Sequence, residues 1–422
     1  MDTDRDFYTL DDFDFKEKTV LLRVDMNCPL SKETLEITND VRIRAVVPTV
    51  RELVGNRAKL VVMTHQSRKD RWDFIGLEQH ARRLSRNLNM PVAYVDDVIG
   101  DEAKAAIGAL EPGQVLLLGN VREIDSESEE SDMHVHADGE IVRELAPLFD
   151  HYVCDAFGAA HRSQCSLVGF QLRIPSASGR LMARELYALQ SIFENPRRPS
   201  VFILGGAKFT DIPHMIDVVM EHGMADTVII VGLAGNAFLH ARGVDIGDAS
   251  RSALREDLTE DNVRLAGEVM AKYGSRILLP IDVAVERDGR RVSVNIGDMS
   301  AEGPALDIGD LSIGKFQKVI EAASTSFMSG PAGMFEKPGF ENGTKGLMEA
   351  MVAGKGLSVL GGGHTAGAAE RFDYADRMSY ISTGGGALET YLLKDPMPVI
   401  EALKESKRLF AASPPEPDAR TC

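Results

Sequence analysis

The sequence is short of cysteine, of positive charge and of long apolar runs. Four cysteines occur in 422 residues (Cys28, Cys154, Cys165 and Cys422), and none form a C-x-x-C pair. That excludes zinc-type spacing and a disulfide framework, and predicts reduced, mostly buried thiols. Lysine and arginine number 47 against 64 acidic residues, a net charge of -17. A general nucleic-acid binder needs a basic face, so that partner class is excluded. No stretch approaches the roughly 20 continuous apolar residues of a membrane span. The start, Met-Asp-Thr-Asp-Arg-Asp, lacks the basic and then apolar pattern of a signal peptide. A cytoplasmic protein without nucleic-acid or membrane partner is expected. The common phosphate-binding motifs are missing too. There is no G-x-x-x-x-G-K-[ST], no G-x-G-x-x-G after the first strand, and no H-R-D with D-F-G.

What is present is alternation. Apolar runs of strand length alternate with longer helical patterns throughout, which predicts parallel α/β sheets. The length calls for two domains. Candidate strands are 20–26, 60–64, 92–95, 115–118 and 152–155, then 201–204, 228–231, 277–280, 326–329, 357–360 and 380–382. Between the two sets, 177–194 reads as one connecting helix, with Leu181, Met182, Leu186, Leu189 and Ile192 near the helical period. Asn195-Pro196 ends it, and Pro175 with Gly179 supplies a hinge. The acidic stretch 125–140, with His134 and His136, reads as a solvated loop rather than a metal site. The proline-rich 412–422 reads as a mobile tail.

The run ends differ between the halves. In the first half they finish in basic or polar residues: Arg23-Val-Asp25-Met-Asn27, His65-Gln-Ser-Arg68, Asn-Val-Arg122 and Asp155 to Arg162. Ligands of open parallel sheets bind at the carboxyl ends of the strands. Arginines converging there would hold a small molecule with more than one negative charge, with Asp25 and Asn27 reaching a hydroxyl. Arg23 shares a strand face with Asp25, so a structural partnership is its competing role. In the second half the runs finish in glycine: Gly205-Gly206-Ala-Lys208, Gly232-Leu-Ala-Gly235-Asn236, Gly330-Pro331-Ala-Gly333, Gly361-Gly362-Gly363-His364-Thr365 and Gly384-Gly385-Gly386. Bare backbone N–H groups at helix starts suit phosphates, and Lys208 adds a mobile cation. Two different anion sites point to phosphoryl transfer between them.

These blocks resemble the phosphoglycerate kinase family, in its archaeal branch, from about Asp12 to Leu403. The resemblance rests on Arg23-Val-Asp25-Met-Asn27-Cys-Pro29-Leu, Thr64-His65-Gln-Ser-Arg68, Leu77-Glu-Gln-His80 and Asp155-Ala-Phe-Gly-Ala-Ala-His161-Arg162. In the second half it rests on Leu204-Gly-Gly-Ala-Lys208, Gly330-Pro331-Ala-Gly333-Met-Phe335-Glu336, Gly361 to Thr365 and Ser382 to Gly386. It implies two Rossmann-like lobes, each a parallel sheet covered by helices. The first, 1–176, would bind phosphoglycerate, with 397–411 packing back on it. The second, 195–396, would bind nucleotide. It further implies 3-phosphoglycerate or 1,3-bisphosphoglycerate on Asp25, Asn27, Arg42, His65, Arg68, Arg122 and Arg162. ATP or ADP, with Mg2+, would lie on Gly205, Gly206, Lys208, Pro331, Glu336, Gly362, Gly363, His364 and Thr365. Arg42, Lys208, Gly363 and Gly385 would act in the transfer itself.

The chain departs from the family pattern at Gly119, Ile212, Ser329, Ala332 and Tyr380. His364 replaces the usual magnesium carboxylate, which leaves the metal ligands unassigned. Two alternatives stay open on sequence: a related kinase acting on another carboxylate, and a paralogue that binds phosphoglycerate or nucleotide without transfer. A monomer or weak dimer is expected.

Overall fold

A computed structural model describes residues 6–206, 211–382 and 384–411. Lys208 and the predicted tail lie outside them. The described residues divide into two compact units: one runs to Leu186 and resumes at Pro396, the other spans Tyr187–Asp395.

The first unit is built on six parallel strands: β1 (Thr19–Val24), β2 (Lys59–Met63), β3 (Ala93–Tyr94), β4 (Val115–Leu117), β5 (His151–Asp155) and β6 (Ser176–Ser178). Their spatial order is β3-β4-β2-β1-β5-β6. Strand β1, Thr-Val-Leu-Leu-Arg-Val, is buried on both faces, as a central parallel strand requires. It lies where the order reverses, between β2 and β5. The crevice outside such a reversal is where doubly wound sheets take ligands.

The connecting segment differs from the single helix expected over 177–194. Residues 176–178 pair with β5 as a sixth strand, and the helix begins at Arg180. Ser-Ala-Ser carries no apolar signature, so its strand character comes from its neighbours. Gly179 is fixed by space: a Cβ there would lie 2.3 Å from the Asp155 carboxyl carbon. The buried Asp155 carboxylate accepts the Thr49 hydroxyl from helix Val41–Gly55 and the Met182 N–H at 2.9 Å. Arg180 grips Glu52 and Asp11, each through two nitrogen–oxygen contacts. The helix runs to Leu189 and continues as a π-helical turn, Gln190–Glu194. Phe193 on that turn meets Phe202 and Phe327 at ring-centroid distances of 5.6 and 5.2 Å, anchoring the turn in the second unit. Helix Pro398–Leu409 belongs with the first unit: Val399 N–H reaches Ala160 O at 3.3 Å, and Ser406 Oγ accepts from Ser176 N–H at 3.1 Å.

The second unit repeats the plan. Strands β7 (Ser200–Leu204), β8 (Thr227–Ile230) and β9 (Ile277–Leu278) come first. A small antiparallel sheet follows, made of β10 (Asp282–Arg287), β11 (Arg290–Asn295) and β12 (Asp307–Ile308). Strands β13 (Thr325–Ser329), β14 (Leu357–Gly361) and β15 (Tyr380–Ile381) then complete the main sheet, in the order β15-β14-β13-β7-β8-β9. Its reversal lies between β7 and β13. The small sheet is absent from the sequence reading, because β10 turns charged after Val285 and β11 opens on two arginines and ends in Ser-Val-Asn.

Two consequences are measurable. Asp155→Ala orphans buried donors, each costing about 1–3 kcal/mol, so urea unfolding of this variant should show a loss of that size, partly recovered in Asp155→Asn. His80, buried on helix Glu78–Leu88, is held down to about 4 by burial. A histidine with a depressed folded pKa gives stability that is complete above its ordinary 6.5 and lost as pH falls through 4, here about 3 kcal/mol. Between those values the acid slope of unfolding free energy should be shallower in His80→Gln.

Candidate functional site

In the first unit, each of the four strands around the reversal ends in a loop that carries part of the expected ligand set. Asp25 and Asn27 follow β1, His65 and Arg68 follow β2, Arg122 follows β4 and Arg162 follows β5. Arg42 occupies the first turn of helix Val41–Gly55. Arg42 Nη1 lies 2.7 Å from Asp25 Oδ2, with 39% of its side chain still exposed. Burial alone would raise the Asp25 carboxyl. The Arg42 guanidinium, the Asn27 N–H at 3.1 Å and the Arg23 charge outweigh it and hold the group at about 2. Burial, then the positive charges of Arg23 and Arg162, bring Arg122 down to about 10, still charged at neutral pH. Arg122 donates to the Ser67 carbonyl, while its Nε is buried with no protein partner. The same charges act on His65, which is buried. Arg68 stands apart: its side chain is 62% exposed and faces Asp70 at 4.0 Å.

The loops are locked by side chains that sequence reasoning passed over. Gln66 and Asn120 exchange hydrogen bonds, Gln66 N–H to Asn120 Oδ1 at 3.3 Å and Asn120 Nδ2 to Gln66 O at 2.9 Å. Gln66 Oε1 also accepts from Cys28 N–H at 2.9 Å and meets His80 Nε2 at 3.1 Å. Asn27 Oδ1 accepts from Ser67 N–H at 3.1 Å. Thr64 Oγ1 accepts from Met26 N–H at 3.0 Å. The amides of Gln66 and Asn120 lie inside quoted motifs. Only their burial marks them as framework.

Arg23 is a correction of emphasis. It partners Ser166 and Glu127 in the interior rather than Asp25.

The second unit places its glycine loops at the corresponding edge. Gly205 and Gly206 follow β7, and Gly330 and Pro331 follow β13. Gly205 N–H donates to Ser329 O at 2.8 Å and Gly206 N–H to Pro331 O at 3.1 Å. Gly330 has φ +86, and a Cβ on it would sit 2.2 Å from the Gly205 carbonyl oxygen, so no side chain fits. Thr365 Oγ1 accepts from Gly330 N–H at 2.8 Å and joins helix Gly363–Arg371 to the same corner. Beside it lies a cavity of about 300 Å³, walled by apolar side chains that include Leu233, Leu306 and Met334. Gly206, Pro331, Glu336 and His364 line it, together with Gly232, Asn236 and Asp307. Gly362 caps helix Gly363–Arg371, and Gly363 is open to solvent. Gly385 caps helix Gly386–Leu392 at the end of β15 and does not line this cavity. Leu306 and Asp307 were not foreseen, since they come from the unrecognised small sheet. Gly232 and Asn236 had been noted only as a glycine-ended run. Among the described residues, no three acidic, histidine or cysteine side chains are grouped to hold a metal ion.

Comparison with known proteins bears on the family and the fold. The family model described as phosphoglycerate kinase matches residues 10–394. The phosphoglycerate kinase of Methanothermobacter thermautotrophicus is 43% identical over 401 residues, covering 95% of this chain and 97% of that one. That of Methanothermus fervidus is 41% identical over 402 residues, covering 95% and 98%. The crystal structure of phosphoglycerate kinase from Pyrococcus horikoshii OT3 superposes with a TM-score of 0.88 at 34% identity, covering 96% of this chain and all of that one. The enzyme from Coxiella burnetii gives 0.81 at 30%, covering 94% and 99%. The chain therefore belongs to the phosphoglycerate kinase family and is a phosphotransferase.

Proposed function

We propose that the first unit binds the phosphoglycerate and the second the nucleotide, with direct in-line transfer and no covalent enzyme intermediate. The observation that carries this reading is Arg122, buried with its Nε unpartnered and in the field of the positive charges of Arg23 and Arg162. A ligand with a carboxylate and a phosphate supplies the missing negative charge. In this reading Arg122, Arg162 and exposed Arg68 bind its anionic groups, Asp25 and Asn27 its hydroxyl, and His65 one of its oxygens. Arg42 is held beside Asp25 until it is needed, and stabilises the charge that spreads over the transferring group. On the second unit, the apolar cavity takes the nucleoside, with Glu336 toward the ribose. The amides of Gly362, Gly363 and Gly385 serve the phosphates, with His364 and Thr365 at the same helix start and Lys208 following the phosphoryl group. Gly205 and Gly206, expected to offer bare amides, instead give their N–H groups to the Ser329 and Pro331 carbonyls and contribute only a close backbone surface.

The described residues form no carboxylate cage for magnesium. We take Mg2+ to enter with the nucleotide as the Mg-ATP or Mg-ADP substrate. The free, buried thiols of Cys28, Cys154 and Cys165 support a reducing, cytoplasmic setting. The net charge of -17 supports the absence of a nucleic-acid partner. A monomer or weak dimer remains the proposed state.

A coupled assay with ATP, magnesium and 3-phosphoglycerate tests the reading. Arg42→Ala should lower kcat by about 100-fold or more, the size seen when one charge-stabilising donor is removed, with unfolding free energy little changed. Turnover near the wild-type value in that variant overturns the role of Arg42. Lys208→Ala should likewise depress kcat more than it raises KM for 3-phosphoglycerate, because its partner is the phosphoryl group in transit.

A further inference from the structure

Beneath the cationic set lies a buried layer that none of the ligand roles above employs. Arg23, on β1, has no exposed side-chain surface, and neither has Glu127. The Arg23 guanidinium donates through Nε to Ser166 Oγ at 2.7 Å, through Nη1 to the Val24 carbonyl, and through Nη2 toward His65 Nδ1 at 3.4 Å. Glu127 Oε1 lies 3.7 Å from Arg23 Nη2 and accepts the Ser166 hydroxyl at 2.6 Å. Its other oxygen accepts the Ser166 N–H at 2.8 Å. Both carboxylate oxygens and the guanidinium are thereby fixed.

A guanidinium has donors only and keeps its proton at any working pH. A ring nitrogen facing it must present a lone pair. If Nδ1 of His65 is the acceptor, the proton of the neutral imidazole is on Nε2. The charged groups acting on this ring are Asp25, which favours protonation, and Arg23, Arg122 and Arg162, which oppose it. Burial is the largest influence, and together with the three arginines it places His65 well below the usual histidine range.

We propose that Glu127 and Ser166 are positioning residues: they hold Arg23 against Nδ1 of His65 and so lock His65 as a neutral Nε2–H donor to an oxygen of the phosphoglycerate. This rests on the reading of His65 as a ligand residue given above. It adds a chain of command, Glu127 with Ser166 to Arg23 to His65, in which only the last member meets the ligand. Removing the Glu127 charge leaves Arg23 buried without its counter-ion. The guanidinium then shifts to regain solvation, and Nδ1 loses the contact that selects the tautomer.

The test uses the full chain labelled with 15N-histidine. Long-range proton–nitrogen spectra report which ring nitrogen carries hydrogen, and the His65 signals are those missing from His65→Gln. The wild type should show Nδ1 bare and Nε2 protonated, unchanged from pH 6 to 8. Glu127→Gln should show mixed tautomers at His65 and a KM for 3-phosphoglycerate raised about tenfold, the effect of one hydrogen bond, with KM for ATP held. Glu127→Asp, which keeps the charge, should fall between. A wild-type His65 with its proton on Nδ1, or charged at pH 7, overturns the proposal without any variant having to fold. So does a Glu127→Gln enzyme with wild-type tautomer and KM. A wild-type chain that neither binds nor turns over 3-phosphoglycerate instead overturns the reading of the site.

Discussion

Positive charges gathered at one sheet edge repel one another, and much of the first unit answers that repulsion. Four guanidiniums influence the ends of β1, β2, β4 and β5, within a chain whose overall charge is strongly negative. Two carboxylates are spent on them, and they are placed differently. Asp25 stands at the surface layer and meets Arg42, which keeps part of its area in water. Glu127 stands in the interior and meets Arg23, which has none. The outer pair keeps contact with water, whereas the inner pair is permanent because breaking it strands a charge in a low-dielectric interior. Histidine 65 lies in the same field and gives up its charge. Arginine 122 satisfies itself in part on a backbone carbonyl. What remains is a concentration of positive charge, which the proposed phosphoglycerate would relieve.

The second unit builds its corresponding edge differently. Its corner is backbone: carbonyls and amides of the loops after β7 and β13 bind each other directly, and a threonine hydroxyl ties in the helix after β14. The neighbouring cavity is apolar where the first unit's edge is cationic. The same sheet plan, with its order reversing at β1 in one unit and at β7 in the other, has thus been finished by two unlike chemistries.

Much of this was legible from sequence, and the limits have physical causes. The central strands declared themselves because burial on both faces demands an unbroken apolar run, as in Val-Leu-Leu at 20–22 and Val-Phe-Ile-Leu at 201–204. The cationic loops declared themselves because basic residues recur at the ends of several strands, the edge where open parallel sheets take ligands. Ser176–Ser178 did not, since a short edge strand of small residues owes its conformation to its partner and not to its own pattern. The β10–β12 sheet was hidden because charged and polar residues interrupt its apolar positions, and with it Leu306 and Asp307 of the cavity. Arg23 was visible as a residue but not as a role: strand alternation gives the face, and only tertiary packing gives the partner, here Glu127, about a hundred positions away. Gln66 and Asn120 read as generic polar loop residues until their mutual hydrogen bonds are seen. Lys208 is a reading of sequence alone.

The contact between Gly205 and Gly330 has a historical consequence. Two peptide planes from strands far apart in the chain touch with no room for even a methyl group, so neither loop is free to drift on its own. A substitution, an insertion or a borrowed loop from a relative is tolerated on one side only when the other side is already compatible. Divergence within this family should therefore leave these two segments inherited as a matched set, while the walls of the adjoining cavity, built from side chains, remain free to be remodelled one residue at a time.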